Sequence, residues 1–262
     1  MEKLDYLIDY LLKENRGIKV ANIPQSTIEK KNLYRSLCNI REPKPISKYY
    51  LQIENEYLQE ELKKKHITKV EDIHFIKKSN LENKDKMYLW KGDITTLQID
   101  AIVNAANSQG LGCFIPCHKC IDNQINTFAG ISLRLECNEI MKNKNYFLDT
   151  GKAFITEGYN LPVKHVIHTV GPIIYNEVTE KEEKQLKDCY INTLKLAIDK
   201  GIRNIAFPCI STGEFRFPKD RASKIAISAV NNFLKEYRNN FDKVVFNVYG
   251  EEDYKIYERN FK

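Results

Sequence analysis

The segment from Val103 to Asn123 constrains this chain more than any other. An apolar run, Ala101 to Val103, leads into Asn104, Asn107, Gly110, Gly112, Cys113, Cys117, His118, Cys120 and Asp122, and a helical pattern leads out. This reads as a strand, a polar glycine-bearing loop and a helix N-terminus, the place where α/β proteins put phosphate groups and chemistry. The asparagines after the strand can hydrogen-bond a sugar. The glycines let a ligand approach the backbone. The cysteines and the histidine can hold zinc in front of a carboxylate.

The 262 residues suffice for one large domain with a smaller companion. Lysine plus arginine exceed aspartate plus glutamate by 41 − 35 = 6. That charge suits an anionic small ligand or an acidic partner. It does not point to nucleic acid, because the only dense basic block is Lys63-Lys64-Lys65, the solvated end of a helix. No apolar run approaches the ~20 residues that span a bilayer. The first residues carry acids and no long apolar stretch, so no secretory signal is expected. Three of seven cysteines crowd into positions 113 to 120. Such a cluster reads as metal-binding thiols in a reducing cytoplasm, not as a disulfide framework. A cytoplasmic monomer is the expectation.

Residues 1–84 look helical. Leu4, Leu7, Ile8, Leu11 and Leu12 share one helical face, and Gly17 is placed to end that helix. Ser26 to Glu29 fits a capping box ahead of Leu33, Tyr34, Leu37 and Ile40. A third helix carries Tyr49, Tyr50, Ile53, Tyr57, Leu58 and Leu62, and a short fourth is expected from Thr68. The aperiodic stretch Lys77 to Asp85 marks the boundary between a helical accessory domain, 1–84, and a second domain, 85–262. Strands are predicted at 87–91, 101–104, 153–157, 165–170, 204–207 and 244–248. Helices are predicted at 120–141, 179–200, 218–239 and 253–261. This alternation predicts a three-layer α/β/α domain around a mostly parallel mixed sheet.

Three motifs fall at strand ends: Gly92-Asp93-Ile94-Thr95, Asn104-Ala105-Ala106-Asn107, and Ser211-Thr212-Gly213-Glu214-Phe215. With His168-Thr169-Val170-Gly171-Pro172 they resemble, in order, the motifs of the macrodomain, a module that binds ADP-ribose. The resemblance covers residues 86–262. It implies that Asp93, with Ile94, meets the adenine, that Asn104 or Asn107 holds a ribose hydroxyl, and that residues 211–215 cradle the pyrophosphate. Tyr249 would set its ring against the adenine. The string Gly112-Cys113-Phe114-Ile115-Pro116-Cys117-His118-Lys119-Cys120-Ile121-Asp122-Asn123 resembles the zinc-dependent macrodomains, a branch that removes ADP-ribose from proteins. In that branch Cys113, His118 and Cys120 match the zinc ligands and Asp122 matches a catalytic carboxylate, assisted by Asn107. Two departures stand out: Cys117 is an additional thiol, and Asn126 stands where many catalytic macrodomains carry histidine.

The resemblance therefore implies a zinc-dependent hydrolase that frees mono-ADP-ribose from proteins modified on aspartate or glutamate. Three alternatives use the same pocket: a non-catalytic ADP-ribose reader, an O-acetyl-ADP-ribose deacetylase, and a structural zinc closed by Cys117. Asp122 at the head of a helix is expected to be ionised near neutral pH, favoured by the helix dipole. His66, His74, His165 and His168 are read as surface or structural residues, and Cys38, Cys137, Cys189 and Cys209 as packed thiols.

Overall fold

The strands alternate sides with period two, and this alternation builds the molecule. Met87 and Leu89, Ala101 and Val103, Ile205 and Phe207, and Val244 and Phe246 bury themselves in one core. Their neighbours Tyr88, Ile102, Ala206 and Val245 bury themselves in another, on the opposite face of the sheet. A sheet covered on both faces needs helices on both, and the structure, a computed structural model, has them. It describes residues 2–15, 17, 23–74 and 79–262.

The sheet has seven strands: β1 (Thr68–Lys69), β2 (Met87–Lys91), β3 (Leu97–Ala106), β4 (Ala153–Glu157), β5 (Val163–Val170), β6 (Asn204–Phe207) and β7 (Lys243–Val248). The order is β2-β7-β6-β3-β5-β4, with β1 beside β3. Among the described residues every pairing is parallel except β4 with β5. Helices α4 (Ile121–Ala129) and α5 (Ile131–Lys142) cover one face. Helices α6 (Glu180–Asp199), α7 (Lys219–Tyr237) and α8 (Glu251–Asn260) cover the other. No helix among the described residues is long and apolar enough to cross a membrane.

Ahead of the sheet, α1 (Lys3–Glu14), α2 (Thr27–Ile40) and α3 (Lys48–Lys63) enclose their own apolar core. Leu4, Leu7, Ile8 and Leu11 of α1 fill it, as their spacing predicts. Ser26 caps α2, its Oγ accepting the Glu29 N–H and donating to the Glu29 carboxylate. This core is shared with the second domain, because Ile131 of α5 enters it.

Three expectations are corrected. The fourth helix from Thr68 is instead strand β1 and a short 3-10 turn, Val70–Asp72, because Thr68 and Lys69 find parallel partners in Leu97 and Gln98. The sheet thus reaches N-terminal to residue 84. The helix expected at 120–141 is two helices, broken at Gly130 with φ 92°. A Cβ there would lie 3.0 Å from the Glu54 carboxylate, which accepts the Ile131 N–H at 2.9 Å and so replaces a helical hydrogen bond. Tyr49, expected on the apolar side of α3, is exposed and stacks edge-on against Tyr6. Of the boundary stretch, Lys77 and Lys78 lie outside the described residues; further on, Asn83 is bonded to Asn231 of α7.

Candidate active site

The site forms at the carboxyl ends of β3, β6, β2 and β7, where the strands release loops that turn into helices. The loop after β3 is the densest. Cys113, His118 and Cys120 bring their Sγ and ring-nitrogen atoms within 4.8 Å of one another. Cys113 Sγ is 3.7 Å from His118 Nδ1. Tetrahedral zinc with Zn–S about 2.3 Å and Zn–N about 2.0 Å sets such a pair about 3.5 Å apart, so this donor set fits zinc in both chemistry and spacing. Burial pushes the Cys120 thiol up to about 12. A divalent cation at this place is what would favour the thiolate. Cys117 lies outside the cluster. Its backbone is left-handed, φ 51°, and its Sγ sits 3.2 Å from Ser36 Oγ and 3.4 Å from the Asn32 carbonyl of α2.

Asp122 stands in the first turn of α4, two residues past Cys120. It is only 4% exposed. Three side-chain amides converge on it: Asn104 Nδ2 at 2.7 Å and Asn126 Nδ2 at 3.1 Å donate to Oδ1, and Asn107 Nδ2 at 3.4 Å donates to Oδ2. Asn126 is thus part of the carboxylate's cradle. Gly112 makes room for it: with φ 84°, a Cβ there would lie 2.7 Å from the Asn126 side chain. Asp122 stays mostly ionised at neutral pH, as its place at the head of a helix leads one to expect, but the helix dipole does not hold it in the ordinary carboxylate range. Burial pushes its carboxyl up to about 6, against the opposing effects of the Asn104 amide and the Arg134 charge.

Asn104 itself is fully buried, and its amide also meets His168 Nδ1 at 3.1 Å. The donating amide makes Nδ1 the acceptor, which places the ring proton on Nε2, 2.9 Å from Thr156 Oγ1. Desolvation lowers His168 to about 3, and the neutral ring stacks on Phe154. Of the two asparagines proposed for the ribose, Asn107 is therefore the half-exposed one, while Asn104 works from behind.

The remaining predicted residues line the rim. Asp93 Oδ1 accepts from the Thr95 N–H at 3.0 Å and its hydroxyl at 2.7 Å, capping a short turn in which Ile94 is buried. Asp93 Oδ2 points the other way, 3.9 Å from Lys65 Nζ. In the loop after β6, Thr212, Arg216 and Phe217 donate the turn hydrogen bonds, leaving the N–H groups of Gly213, Glu214 and Phe215 outside that ladder. Nothing lies within 4 Å of a Cβ built on Gly213, so this loop faces open space. Ser211 is buried, with φ 65°. Glu214 reaches the Cys113–His118–Cys120 donor set, its Oε1 3.6 Å from His118 Nε2. Tyr249, just past β7, is 82% exposed and so is no core aromatic.

Sequence reasoning missed Arg35, Asn123 and Arg134, which surround the loop from outside. Arg134 lies in register with the buried residues Ile131, Leu133, Cys137 and Met141 of α5, and an arginine on an apolar face is the signal that could have exposed it.

The Macro domain family matches residues 103–226. A protein-ADP-ribose hydrolase from Treponema medium is 46% identical over 258 residues, 98% of this chain and 97% of that protein. One from Staphylococcus aureus (strain MRSA252) is 44% identical over 260 residues, 99% of this chain and 95% of that protein. The Trypanosoma brucei macrodomain, in its crystal structure with ADP-ribose, superposes with a TM-score of 0.67 at 29% identity, covering 86% of this chain and 94% of that one. With its sheet, its strand-end loops and nearly its whole length shared with such relatives, the chain belongs to the macrodomain family and to its protein-ADP-ribose hydrolase branch.

Proposed function

We propose that this chain is a zinc-dependent hydrolase that removes mono-ADP-ribose from proteins modified on aspartate or glutamate. One observation carries the reading furthest. A buried carboxylate, Asp122, is held by three asparagine amides directly beside a Cys113–His118–Cys120 donor set, at the strand ends of a macrodomain sheet. The names of the Treponema and Staphylococcus relatives support the substrate class.

Each group then has a task. The outer oxygen of Asp93 accepts from the adenine amine, with Ile94 beside it, and Tyr249 offers its ring to the base. The free N–H groups of residues 213–215, with Ser211 and Thr212, receive the pyrophosphate. Asn107 faces the distal ribose. Asp122 orients a water molecule and takes its proton, and a pKa near 6 keeps it mostly ionised at neutral pH while leaving it basic enough for the task. Asn104 and Asn126 fix its direction, so the attack geometry is set before substrate arrives. Cys113, His118 and Cys120 would hold the metal. Bound zinc supplies Lewis acidity, polarising a substrate oxygen or lowering the pKa of a water. The Cys117 thiol points to α2, so Cys113, His118 and Cys120 would hold the metal without it.

The test is release of ADP-ribose from a protein mono-ADP-ribosylated on an acidic residue, with and without a chelator. Release that chelation stops and zinc restores is the expected result. Equal rates with and without zinc would remove the metal from the reaction. Release from arginine-linked but not acid-linked substrate would overturn the linkage.

A further inference from the structure

We propose that helix α2 of the N-terminal segment is part of the metal centre, gripping the loop Cys113–Cys120 from outside, with Arg35 as its positioning residue. This rests on the reading of Cys113, His118 and Cys120 as a zinc site. Three polar side chains share one face of α2: Arg35, Ser36 and, one turn on, Asn39. All three meet this loop or the first turns of α4, and the backbone carbonyl of Asn32 meets the loop beside them. The apolar residues Tyr34 and Leu37 of α2 bury themselves in the helical core instead, so the helix has two working faces.

The contacts fall on the backbone between the ligands. Arg35 Nη2 donates to the His118 carbonyl at 2.7 Å. The same guanidinium grips Asn123 Oδ1 at 2.6 Å and 3.1 Å. Asn123 is fully buried, and its amide donates to the Ile115 carbonyl at 2.9 Å. Asn39 Oδ1 accepts the Cys117 N–H at 2.9 Å, holding that residue in its left-handed conformation, while Asn39 Nδ2 donates to Thr127 at 3.2 Å. The Cys117 thiol is bracketed by Ser36 and Asn32. From the other side, buried Arg134 donates at 2.8 Å to the carbonyls of Cys38, Asn39 and Arg41 and to the Leu111 carbonyl. One guanidinium thus ties the end of α2 to the start of the loop.

The physical reason for such a grip is entropic. Three ligands drawn from eight residues of irregular backbone must be ordered before they can bind one ion, and that ordering costs conformational entropy. Backbone carbonyls and N–H groups already engaged by a rigid helix lower that cost at the moment of binding. A stripe whose only purpose was packing would be apolar.

The experiment uses the full chain. Zinc affinity is measured by competition with a chromophoric chelator for wild type, Arg35→Met, Arg35→Gln and Lys30→Met. The last breaks the Lys30–Asp5 pair elsewhere in the same helical cluster and serves as the control for general loosening. Cobalt(II) spectra report the ligand field, and melting curves report folding. The expected result is a zinc Kd raised roughly ten- to a hundredfold in both Arg35 variants, the usual scale for outer-shell supports. Cobalt bands should shift, and Lys30→Met should stay within about threefold of wild type. Arg35 variants that bind zinc within about threefold of wild type, or Lys30→Met weakened as much as they are, would overturn the proposal while leaving the zinc site standing. A wild-type chain that binds no zinc would overturn both.

Discussion

Asp122 joins more of the site than any other residue, and its surroundings decide what its removal does. Its carboxylate receives amides from Asn104, Asn107 and Asn126, none of which ligates the metal cluster. Asp122→Ala should therefore lower hydrolysis by roughly 10²–10⁴-fold, the range of one general base, while zinc content and ADP-ribose affinity persist. A folded variant turning over at the wild-type rate would reduce Asp122 to a helix cap. Asp93 uses its two oxygens differently. Oδ1 caps the turn through Thr95, and Oδ2 is turned outward. Asp93→Ala should weaken ADP-ribose binding by roughly ten- to a hundredfold in calorimetry, from a charge-assisted hydrogen bond worth ~1.5–3 kcal/mol. Unchanged affinity with a lowered melting temperature would leave Asp93 as a cap alone.

Strand β5 contributes a support that never meets solvent. His168 holds Asn104, which holds Asp122, and burial keeps the ring neutral by lowering it to about 3. The unfolded chain takes up a proton near pH 6.5 that the folded chain refuses. This contribution is complete above that pH and is lost as the pH falls toward 3. Denaturant melts of the chelated protein should show it. The stability of wild type relative to His168→Gln should fall by about 1.4 kcal/mol per pH unit below about 6.5. A difference that does not vary with pH would mean that the buried histidine accepts its proton without cost.

The whole molecule is a macrodomain sheet whose reactive loop is pressed between that sheet's helices and a helical cluster ahead of it. Ile131 joins the helical core, β1 joins the sheet, and Arg134 joins α2 to the loop after β3. Unfolding such a body should release bound metal, so zinc should raise its stability by mass action. At a free concentration a hundred times Kd the gain is about 2.7 kcal/mol, or roughly 5–10 °C in Tm for a chain of this size. Scanning calorimetry before and after chelation measures it. An unchanged Tm would mean that no metal binds the folded state in preference.

Much of this was legible in the sequence because it depends on short-range pattern. Short, near-continuous apolar runs mark strands such as β2 and β7 in a sheet buried on both faces, and glycine- and asparagine-bearing loops after strands mark ligand sites on such a sheet. Cys113, His118, Cys120 and Asp122 lie within ten residues of one another, so one loop brings them together, and the resemblance to the zinc-dependent macrodomains singles them out from Cys117. What the tertiary structure decided depends on partners far along the chain. Gly130 breaks a helix because Glu54, 76 residues earlier, takes over an N–H. Thr68 enters a strand because β3 has an open edge there. Asp122 gains its raised pKa from burial that no local pattern announces, and Arg35 reaches a loop more than eighty residues away. Local sequence sets which backbone conformations are cheap; the energies of burial and of hydrogen bonds to distant groups are defined only once the chain has closed on itself.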